Sequence, residues 1–429
     1  MHLKRSLYRL GMYARNHGRI TANHHFLRSS EDWTLEQLRT HQFTALRRLV
    51  QAAYDHTPFY RARLDEAGVH PRDLKSLDDL PRFPTVTKAD LLRHGPQIQL
   101  HPRGERLFYT ETSGSTGEPL IFYRDREWDA WHRASILRGY SWYGIHPWDR
   151  NGYLWGFNLA PAQRIKTRVL DALQNRFRLF SYDDAEIDLF ARKLRHAVYL
   201  GGYSSMVYEI ARRLAPDHDQ EPPYPLRLVK GTSEKIWPAY QDAVKRAFGT
   251  RMVSEYGAAE CGIIAFECPE GRMHVNMETV VVETIHDEIV VTNLVSRSFP
   301  IIRYRLGDYV EMDRTSSCEC GRAHIVLNAV TGRVGAVIQG KTGSYPSLTL
   351  YYVFKNLASG RGLVVNYQAI QSIAGELDLR VDGSVTEKEE RLILREFTKY
   401  FGTDVTCHVV PNSDLRSTTH KKQDFVSRL

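Results

Sequence analysis

Long apolar runs are missing from this sequence, and cysteines are few. No stretch approaches the roughly 20 apolar residues that a membrane-spanning helix needs. Charges interrupt residues 1–20 throughout, so this segment does not resemble a signal peptide. Five cysteines in 429 residues do not indicate the disulfide framework of a secreted domain. We therefore expect a cytoplasmic protein.

Motifs of nucleic-acid-binding proteins are absent as well, although the formal net charge is +8. Arginines scattered outside a recognisable fold motif are weak evidence for such a partner, so we expect none. Part of the positive charge lies within residues 1–20, where leucines share one face of a predicted helix. Such a helix either packs on its own domain or makes a peripheral contact with a membrane or a glycan-assembly complex.

One run rich in glycine and hydroxyl groups carries the most information. Residues 110–120 read Thr-Glu-Thr-Ser-Gly-Ser-Thr-Gly-Glu-Pro-Leu, between strand-like segments at 106–109 and 120–123. Glycine lets the backbone turn its N–H groups toward an anion, and Ser and Thr add further donors. The run lacks the Gly-Lys-Ser/Thr ending of P-loop proteins. It is either a cradle for a polyphosphate or a surface loop. The predicted phosphate ligands are Thr112, Ser113, Gly114, Ser115, Thr116 and Gly117.

Further motifs follow in order along the chain. Residues 255–260 read Glu-Tyr-Gly-Ala-Ala-Glu, residues 303–308 read Arg-Tyr-Arg-Leu-Gly-Asp, and residues 331–333 read Thr-Gly-Arg. Residues 421–422 are both lysine. Together with the glycine-rich run, this series resembles the signature of the adenylate-forming enzymes, the acyl-CoA synthetase superfamily. The resemblance implies an ATP-dependent, AMP-forming ligase that uses magnesium and activates a carboxylic acid as an acyl-adenylate.

Three shorter segments narrow the resemblance. They lie at 56–60 (His-Thr-Pro-Phe-Tyr), 80–88 and 318–322 (Cys-Glu-Cys-Gly-Arg). With them the chain most resembles the phenylacetate–CoA ligase branch, which includes the CapK-like proteins of capsule and polysaccharide synthesis. By resemblance the acyl acceptor is coenzyme A, which implies an acid–thiol ligase. Two alternatives stay open: CapK-like transfer to a sugar amine or hydroxyl, and a nucleotide-binding scaffold without turnover.

The resemblance assigns a role to each matching residue. Glu260 matches the magnesium-binding glutamate, Tyr256 the aromatic residue that lies against adenine, and Asp308 the carboxylate that accepts from the ribose hydroxyls. Lys422 matches the catalytic lysine that contacts the forming acyl phosphate, with Lys421 as its substitute. The other implied nucleotide-binding residues are Gly231, Thr232, Ser233, Glu234, Gly257, Arg305 and Arg333. For Arg305, the alternative role is an ion pair with a carboxylate.

Two places depart from the family pattern. Ala259 stands where the family has Thr or Ser, and residues 334–336 (Val-Gly-Ala) lack the two carboxylates of the family hinge. Gly335 still permits a pivot, since glycine absorbs large backbone changes. Because the hinge shapes the second half-reaction, the sequence supports adenylation more directly than thioester formation.

Four residues have the chemistry of a structural zinc site. Cys268 precedes His274 by six positions, and Cys318 and Cys320 form a second close pair. One histidine and three thiolates can close a tetrahedral zinc site, although Cys-x-Cys is shorter than the usual zinc-finger spacing. The alternative is three unrelated thiols and an ordinary histidine.

The patterns along the chain predict an α/β fold with two domains. Residues 1–332 form a large domain of β-sheets and packed helices, which by resemblance is the adenylate-forming domain. Beyond a hinge, residues 333–429 form a small α+β domain in which we expect a β-β-α-β order, and the resemblance implies that it is a mobile lid. An aromatic-rich helix over 124–145 and a strand over 152–157 are predicted to border the acyl pocket. Its candidate lining residues are Tyr153, Trp155, Phe157 and Tyr203, although aromatic side chains are as often plain core.

Overall fold

The computed structural model describes most of the chain. The described residues are 6, 8, 17–102, 104–112, 120–154, 161–180, 184–217, 220–236, 238–314, 317–333, 337–363, 365–415 and 424–429. Among them, no helix combines the length and the apolar character that crossing a membrane requires.

Within residues 17–102, four α-helices fold the amino-terminal part of the chain. They are α1 (His17–Ser29), α2 (Leu35–His56), α3 (Pro58–Glu66) and α4 (Lys88–Ile98). Helix α2 begins at Thr34, whose hydroxyl accepts a hydrogen bond from the Gln37 N–H. Proline lacks an N–H and favours the first turn of a helix, so Pro58 begins α3. Thr57 therefore separates two helices that follow each other directly in the chain.

Helix α1 packs on the aromatic-rich helix α5 (Arg126–Ser141), which the sequence predicts. Asn23 Nδ2 donates to Glu127 Oε1 at 3.3 Å, and Arg19 pairs with the other oxygen of the same carboxylate at 3.1 Å. Of the amino-terminal segment at residues 1–20, α1 contains only residues 17–20, and most of residues 1–16 lie outside the described part, so both alternatives for this segment stay predictions.

An eleven-stranded mixed sheet forms the centre of the large domain. Its strands are β3 (Asn151–Leu154), β4 (Arg176–Arg178), β5 (Tyr199–Tyr203), β6 (Leu228–Thr232), β7 (Met252–Ala258), β8 (Gly262–Glu267), β9 (Met273–Val275), β10 (Val280–Ile285), β11 (Glu288–Asn293), β12 (Ile301–Asp313) and β13 (Val326–Arg333). Their order in the sheet is β10-β11-β12-β13-β9-β8-β7-β6-β5-β3-β4. The strands from β4 to β7 in that order are parallel, and the others are antiparallel. A separate hairpin, β1 (Phe108–Glu111) and β2 (Ile121–Arg124), flanks the glycine-rich run.

Helices cover both faces of the parallel strands. Beside α5, they are α6 (Pro161–Leu173), α7 (Asp184–Leu194), α8 (Ser204–Leu214) and α9 (Pro238–Phe248). Successive side chains of a strand point to opposite faces. Accordingly Tyr199 of β5 packs on Tyr140 of α5, with ring centroids 5.1 Å apart, whereas Leu200 joins the core formed with α7, α8 and α9. The predicted α/β fold class is confirmed.

The carboxyl-terminal residues form a second, four-stranded sheet with the order β18-β17-β16-β19. Its elements and its preceding hairpin are β14 (Val337–Gln339), β15 (Ser344–Pro346), α10 (Leu348–Arg361), β16 (Tyr367–Gln371), β17 (Glu376–Val381), α11 (Glu387–Phe401), β18 (Thr406–Val410) and β19 (Phe425–Ser427). The predicted β-β-α-β order appears as β16, β17, α11 and β18. Helix α10 escaped the sequence analysis because its aromatic and small residues lack a clear helical periodicity. The division into residues 1–332 and 333–429 stays a prediction.

Candidate nucleotide and acyl site

The carboxyl ends of the parallel strands meet at one edge of the large sheet, and several predicted site residues lie there. Tyr203 ends β5, Thr232 ends β6, and Tyr256 lies near the end of β7. Ligands of open α/β sheets bind at this edge. The strand order therefore assembles residues from distant parts of the sequence at the place where a ligand is expected.

Thr112 closes the base of the glycine-rich run. Its N–H donates to the Leu120 carbonyl at 3.0 Å, and its hydroxyl accepts from the Leu120 N–H at 2.9 Å. These bonds hold the two ends of the run together beside the β1–β2 hairpin. The predicted phosphate contacts of Ser113, Gly114, Ser115, Thr116 and Gly117 stay predictions, because these residues lie outside the described part of the chain.

Tyr256 and Asp308 are 52 positions apart and lie in contact. The Tyr256 hydroxyl donates to Asp308 Oδ2 at 2.9 Å. Their strands, β7 and β12, are separated in the sheet by β8, β9 and β13, and bulges in β7–β8 and β12–β13 bend the sheet. Gly307, with φ of 82°, precedes Asp308 and takes a backbone conformation that favours glycine. An aromatic ring beside a carboxylate suits a nucleotide, whose base and ribose are also adjacent.

Glu260 lies between β7 and β8 and is buried, with 6% of its surface exposed. The Tyr304 hydroxyl donates to Glu260 Oε1 at 3.2 Å, and Asn293 Nδ2 donates to the Glu260 carbonyl at 3.1 Å. Gly257 lets β7 approach β8 closely, because a Cβ there would lie 2.4 Å from the Gly262 carbonyl oxygen. A carboxylate is the ligand type that magnesium prefers, and the magnesium role of Glu260 stays a prediction.

The segment Gly231–Glu234 follows β6 and lies beside β7. The Thr232 hydroxyl donates to a β7 carbonyl at 3.3 Å, and Ser233 has a φ of 65°, in the left-handed region. The carboxylate of Glu234 accepts from the Ser205 N–H at 2.8 Å and so caps the first turn of α8. The side chain of Glu234 thus has a structural partner, and contact of this segment with adenine stays a prediction.

The structure describes the side chain of Arg305 but not that of Arg333, the other arginine of the predicted site. Arg305 pairs with the Glu288 carboxylate, which is the alternative role that the sequence left open. Arg333 is the Cα partner of Asp308 across β12 and β13, and its side chain lies outside the described part. Arg303, which the sequence analysis did not select, is buried and has a φ of 47°. Its guanidinium binds the Glu283 carboxylate at 3.0 Å and backbone carbonyls of the 80–88 segment.

The described residues of the predicted acyl pocket are half-buried at the strand ends. The Arg176 guanidinium lies over the Tyr153 ring, 4.2 Å from its centroid. Burial raises the pKa of Tyr203 to about 12, so its hydroxyl is neutral at pH 7. Four candidates lie outside the described residues and stay predictions: Trp155, Phe157, Lys421 and Lys422.

A buried ion pair beside this pocket escaped the sequence analysis. Lys230 Nζ lies 2.6 Å from Glu255 Oε1, and the two side chains are 8% and 6% exposed. Burial alone would lower the pKa of Lys230, but the charge and hydrogen bond of Glu255, together with Tyr140 and Tyr153, outweigh burial, and the pKa is raised above its ordinary value. A lysine within an apolar strand was the available signal, together with a glutamate directly before Tyr256.

The four candidate metal ligands converge, with their ligand atoms all within 4.8 Å of one another. Sγ of Cys268 lies 3.8 Å from Sγ of Cys318, and Sγ of Cys320 lies 3.2 Å from Nε2 of His274. In a tetrahedral site with Zn–S bonds of about 2.3 Å, two sulfurs are about 3.8 Å apart, so the spacing fits zinc. His274 Nδ1 lies 3.3 Å from the His324 carbonyl, which orients Nε2 toward the thiols. Burial lowers the pKa of His274 to about 4, which leaves the ring neutral, as a ligand must be.

Known proteins of similar sequence cover most of this chain, although no protein-family model matches it. It is 24% identical to the phenylacetate-coenzyme A ligase of Thermus thermophilus over 424 residues, which are 92% of this chain and 89% of that protein. It is 22% identical to Protein CapK of Staphylococcus aureus over 276 residues, which are 61% of each chain.

The solved structure of 2-hydroxyisobutyryl-CoA ligase, in the postadenylation state with 2-HIB-AMP, has the same fold. The TM-score is 0.72 and the identity 21%, over 92% of this chain and 91% of that one. The predicted resemblance is therefore confirmed: along nearly its whole length the chain is similar to the phenylacetate–CoA ligases, it also resembles CapK, and it has the fold of the adenylate-forming CoA ligases.

Proposed function

We propose that this protein is an ATP-dependent, AMP-forming ligase that activates a carboxylic acid as an acyl-adenylate and transfers the acyl group to coenzyme A. The observation that carries the proposal is the 2.9 Å contact between Tyr256 and Asp308. It places an aromatic ring and a carboxylate side by side at the sheet edge where nucleotides bind in open α/β folds. The similarity to phenylacetate-coenzyme A ligase along nearly the whole chain supports the same reaction.

In the first half-reaction a carboxylate oxygen of the acid attacks the α-phosphorus of ATP. The bond between that phosphorus and the bridging oxygen breaks, and pyrophosphate leaves with the bonding electrons. The loop from Thr112 to Gly117 stabilises the charge of the leaving group through N–H and hydroxyl donors. Asp308 accepts from the ribose hydroxyls, and Lys422 donates to the oxygens of the acyl phosphate. A magnesium ion held by Glu260 would neutralise phosphate charge.

In the second half-reaction the acceptor attacks the acyl carbon, the bond from that carbon to the phosphate oxygen breaks, and AMP leaves. With coenzyme A the nucleophile is a thiol that loses its proton to solvent. The similarity to CapK, the Ala259 substitution and the hinge without carboxylates favour a second candidate, a sugar amine or hydroxyl as the acceptor.

Two measurements test these proposals. Exchange of labelled pyrophosphate into ATP, run with a panel of carboxylic acids, reports the first half-reaction alone. A nucleotide-binding scaffold would return no label with any acid, and that result would reject the ligase. Mass spectrometry of products formed from ATP, magnesium, an active acid and either coenzyme A or amino sugars then identifies the acceptor.

We further infer that the four converging residues hold a structural zinc ion. The donor set of one neutral imidazole and three thiols is one that zinc prefers, and the spacing of the sulfurs fits a tetrahedron. Native mass spectrometry and elemental analysis of the purified protein are expected to find one zinc ion per chain. Metal-free, folded protein in which Cys268, Cys318 and Cys320 all react freely with an alkylating reagent would contradict this inference.

A cytoplasmic location and a contact of residues 1–20 with a membrane or a glycan-assembly complex stay predictions. Because α1 packs on α5, the appropriate deletion ends before His17 and leaves that packing intact. Cell fractionation of the shortened and full-length chains compares their membrane-bound shares, and equal shares would discard the contact.

A further inference from the structure

Tyr304 of β12 holds the carboxylate of Glu260 from inside the core. Its hydroxyl donates to Glu260 Oε1 at 3.2 Å, although the two residues are 44 positions apart in the chain. Asn293 Nδ2 holds the backbone of the same glutamate, because it donates to the Glu260 carbonyl at 3.1 Å. All three residues are buried. Glu260 is therefore fixed both at its backbone and at one oxygen of its carboxylate.

The backbone of β12 departs from a regular strand directly before Tyr304. Arg303 has a φ of 47°, in the left-handed region that residues other than glycine seldom adopt. The pairing with β11 shifts by one residue between Ile301 and Tyr304, as in a β-bulge. Bulges redirect side chains, and a strained conformation persists only where surrounding contacts hold it. The direction of the Tyr304 side chain therefore depends on the contacts that hold this part of the strand.

The segment at 80–88 supplies several of these contacts. Val86 forms a parallel bridge with Tyr304. The Val86 N–H donates at 3.0 Å to the carbonyl of the residue before Tyr304, and the Val86 carbonyl accepts at 2.8 Å from the N–H of the residue after it. The guanidinium of Arg303 also donates to the Pro81 carbonyl at 2.9 Å. The segment thus holds the backbone on both sides of Tyr304.

The segment at 56–60 holds the start of the same strand. The hydroxyl of Tyr60, which is buried, donates to the Pro300 carbonyl at 2.9 Å and accepts from the Ile302 N–H at 3.2 Å. The sequence singles out both segments, and the proposed reaction gives neither of them a role. The two segments converge on the part of β12 that carries Tyr304.

A carboxylate that binds a metal ion needs a fixed direction as well as a negative charge. Neighbouring residues usually supply that direction by a hydrogen bond to the ligating carboxylate. Tyr304 supplies such a bond to Glu260, and the burial of both residues limits the access of water that could replace it. Because Tyr304 is only 2% exposed, it acts through Glu260 rather than by contact with a ligand.

We propose that Tyr304 is a positioning residue, which holds the Glu260 carboxylate in the direction that binds the magnesium ion of ATP, and that the segments at 56–60 and 80–88 hold Tyr304 in place. This inference deepens the proposed function and rests on it, because the magnesium role of Glu260 belongs to that proposal.

The substitution Tyr304→Phe tests the inference, since it removes the hydroxyl and keeps the buried ring. Manganese, which prefers the same oxygen ligands as magnesium, reports metal binding by electron paramagnetic resonance in the presence of α,β-methylene-ATP. The affinity for manganese is expected to fall by about 10- to 100-fold, as for the loss of other partners of metal ligands. In pyrophosphate exchange the magnesium concentration at half-maximal rate is expected to rise, whereas kcat at saturating magnesium stays near that of the parent.

A double-mutant cycle shows whether Tyr304 acts through Glu260. Glu260→Gln alone is expected to weaken manganese binding, and adding Tyr304→Phe to it is expected to cost no further affinity, because the two residues act as one unit. The control is Tyr345→Phe on β15. Tyr345 also donates to a carboxylate, that of Asp404 at 3.0 Å, so the control removes the same atom from the same kind of contact. It is expected to keep the affinity of the parent, and thermal melting checks that all variants fold.

The outcomes separate this inference from the proposed function. Unchanged metal affinity in Tyr304→Phe, while Glu260→Gln loses affinity, overturns the inference and leaves the ligase standing. A loss from Tyr304→Phe that is as large in the Glu260→Gln background as in the parent overturns it too, because the effect then bypasses Glu260. Metal affinity of the parent in Glu260→Gln rejects the magnesium role of Glu260 together with the inference. Absence of pyrophosphate exchange with any acid rejects the ligase, and the manganese titrations then still decide the role of Tyr304.

Discussion

Replacing Asp308 by asparagine tests the proposed nucleotide site most directly. The carboxylate accepts from the Tyr256 hydroxyl at 2.9 Å, and in the proposed complex it accepts from the ribose hydroxyls as well. Asparagine keeps the size of the side chain and one acceptor oxygen but loses the charge and turns the other acceptor into a donor. The substitution therefore removes at least one charge-assisted hydrogen bond to the ribose.

The expected loss follows from that count. A hydrogen bond to a charged group contributes about 1.5–3 kcal/mol, which corresponds to a rise of about 10- to 150-fold in the KM for ATP. The assay is pyrophosphate exchange at varied ATP concentration with an active acid at saturation. Tyr256→Phe removes the hydroxyl and keeps the ring, so it is expected to cost only about 0.5–1.5 kcal/mol.

The matched control is Asp313→Asn on the same strand. Asp313 pairs with Arg272 at 3.1 Å and has no role in the proposed site, so the KM for ATP is expected to stay unchanged. An Asp308→Asn variant that folds, as judged by its melting temperature, and keeps the KM of the parent would refute the placement of the ribose at Asp308.

Three further substitutions have defined outcomes. Glu278→Gln breaks a buried pair with Arg138, 2.6 Å in length, and is expected to lower the free energy of unfolding by about 3–5 kcal/mol in urea titrations at pH 7. Burial by itself raises the pKa of Glu278, but Arg138, His324 and Ser30 together outweigh it and hold the pKa well below the ordinary 4.5. This stability is therefore complete above pH 4.5 and is lost as the pH falls below that value, so the difference from the parent is expected to shrink in acid. Cys318→Ser is expected to lower both the zinc content and the melting temperature. A chelator added to the parent protein is expected to lower its melting temperature as well. Lys422→Ala is expected to lower kcat for adenylation by about 100-fold or more, as for the loss of a donor to transition-state charge, whereas Lys421→Ala keeps most of it.

Each of these predictions has a contrary result. Glu36→Gln, on the exposed face of α2, is the control for the buried carboxylate, and an equal effect of both substitutions at pH 7 would contradict the role of the pair. Full stability of the Cys318→Ser protein without zinc would contradict the structural metal. A larger loss from Lys421→Ala than from Lys422→Ala would exchange the roles of the two lysines.

The local elements of this fold could be predicted where the chemistry lies within one short segment. The strands β1 and β2 beside the glycine-rich run, the aromatic-rich helix α5 and the β-β-α-β order near the carboxyl terminus follow from residue types and from spacing along the chain. Helix α10 could not be predicted in the same way, because its aromatic and small residues fit no single periodicity and its packing partners lie elsewhere in the small domain.

In the candidate site, too, the sequence predicts single residues but not the contacts between them. Resemblance of motifs selected Tyr256, Asp308 and the four metal ligands one by one, but only the folded chain brings each set within contact distance. The buried pair of Lys230 and Glu255 shows the opposite case. Each residue stands alone in the sequence, and the pairing follows from the parallel register of β6 and β7.

The sequence by itself determined the class of fold and the kinds of chemical groups that the protein carries, because turn residues, strand alternation and motif order are local properties. The tertiary structure decided which groups meet, because a contact across a sheet depends on strand order and register, which distant residues set together. Hence the hydroxyl of Tyr256 reaches the carboxylate of Asp308, and Lys230 pairs with Glu255, by virtue of strand order and register rather than of either residue's neighbours in the chain.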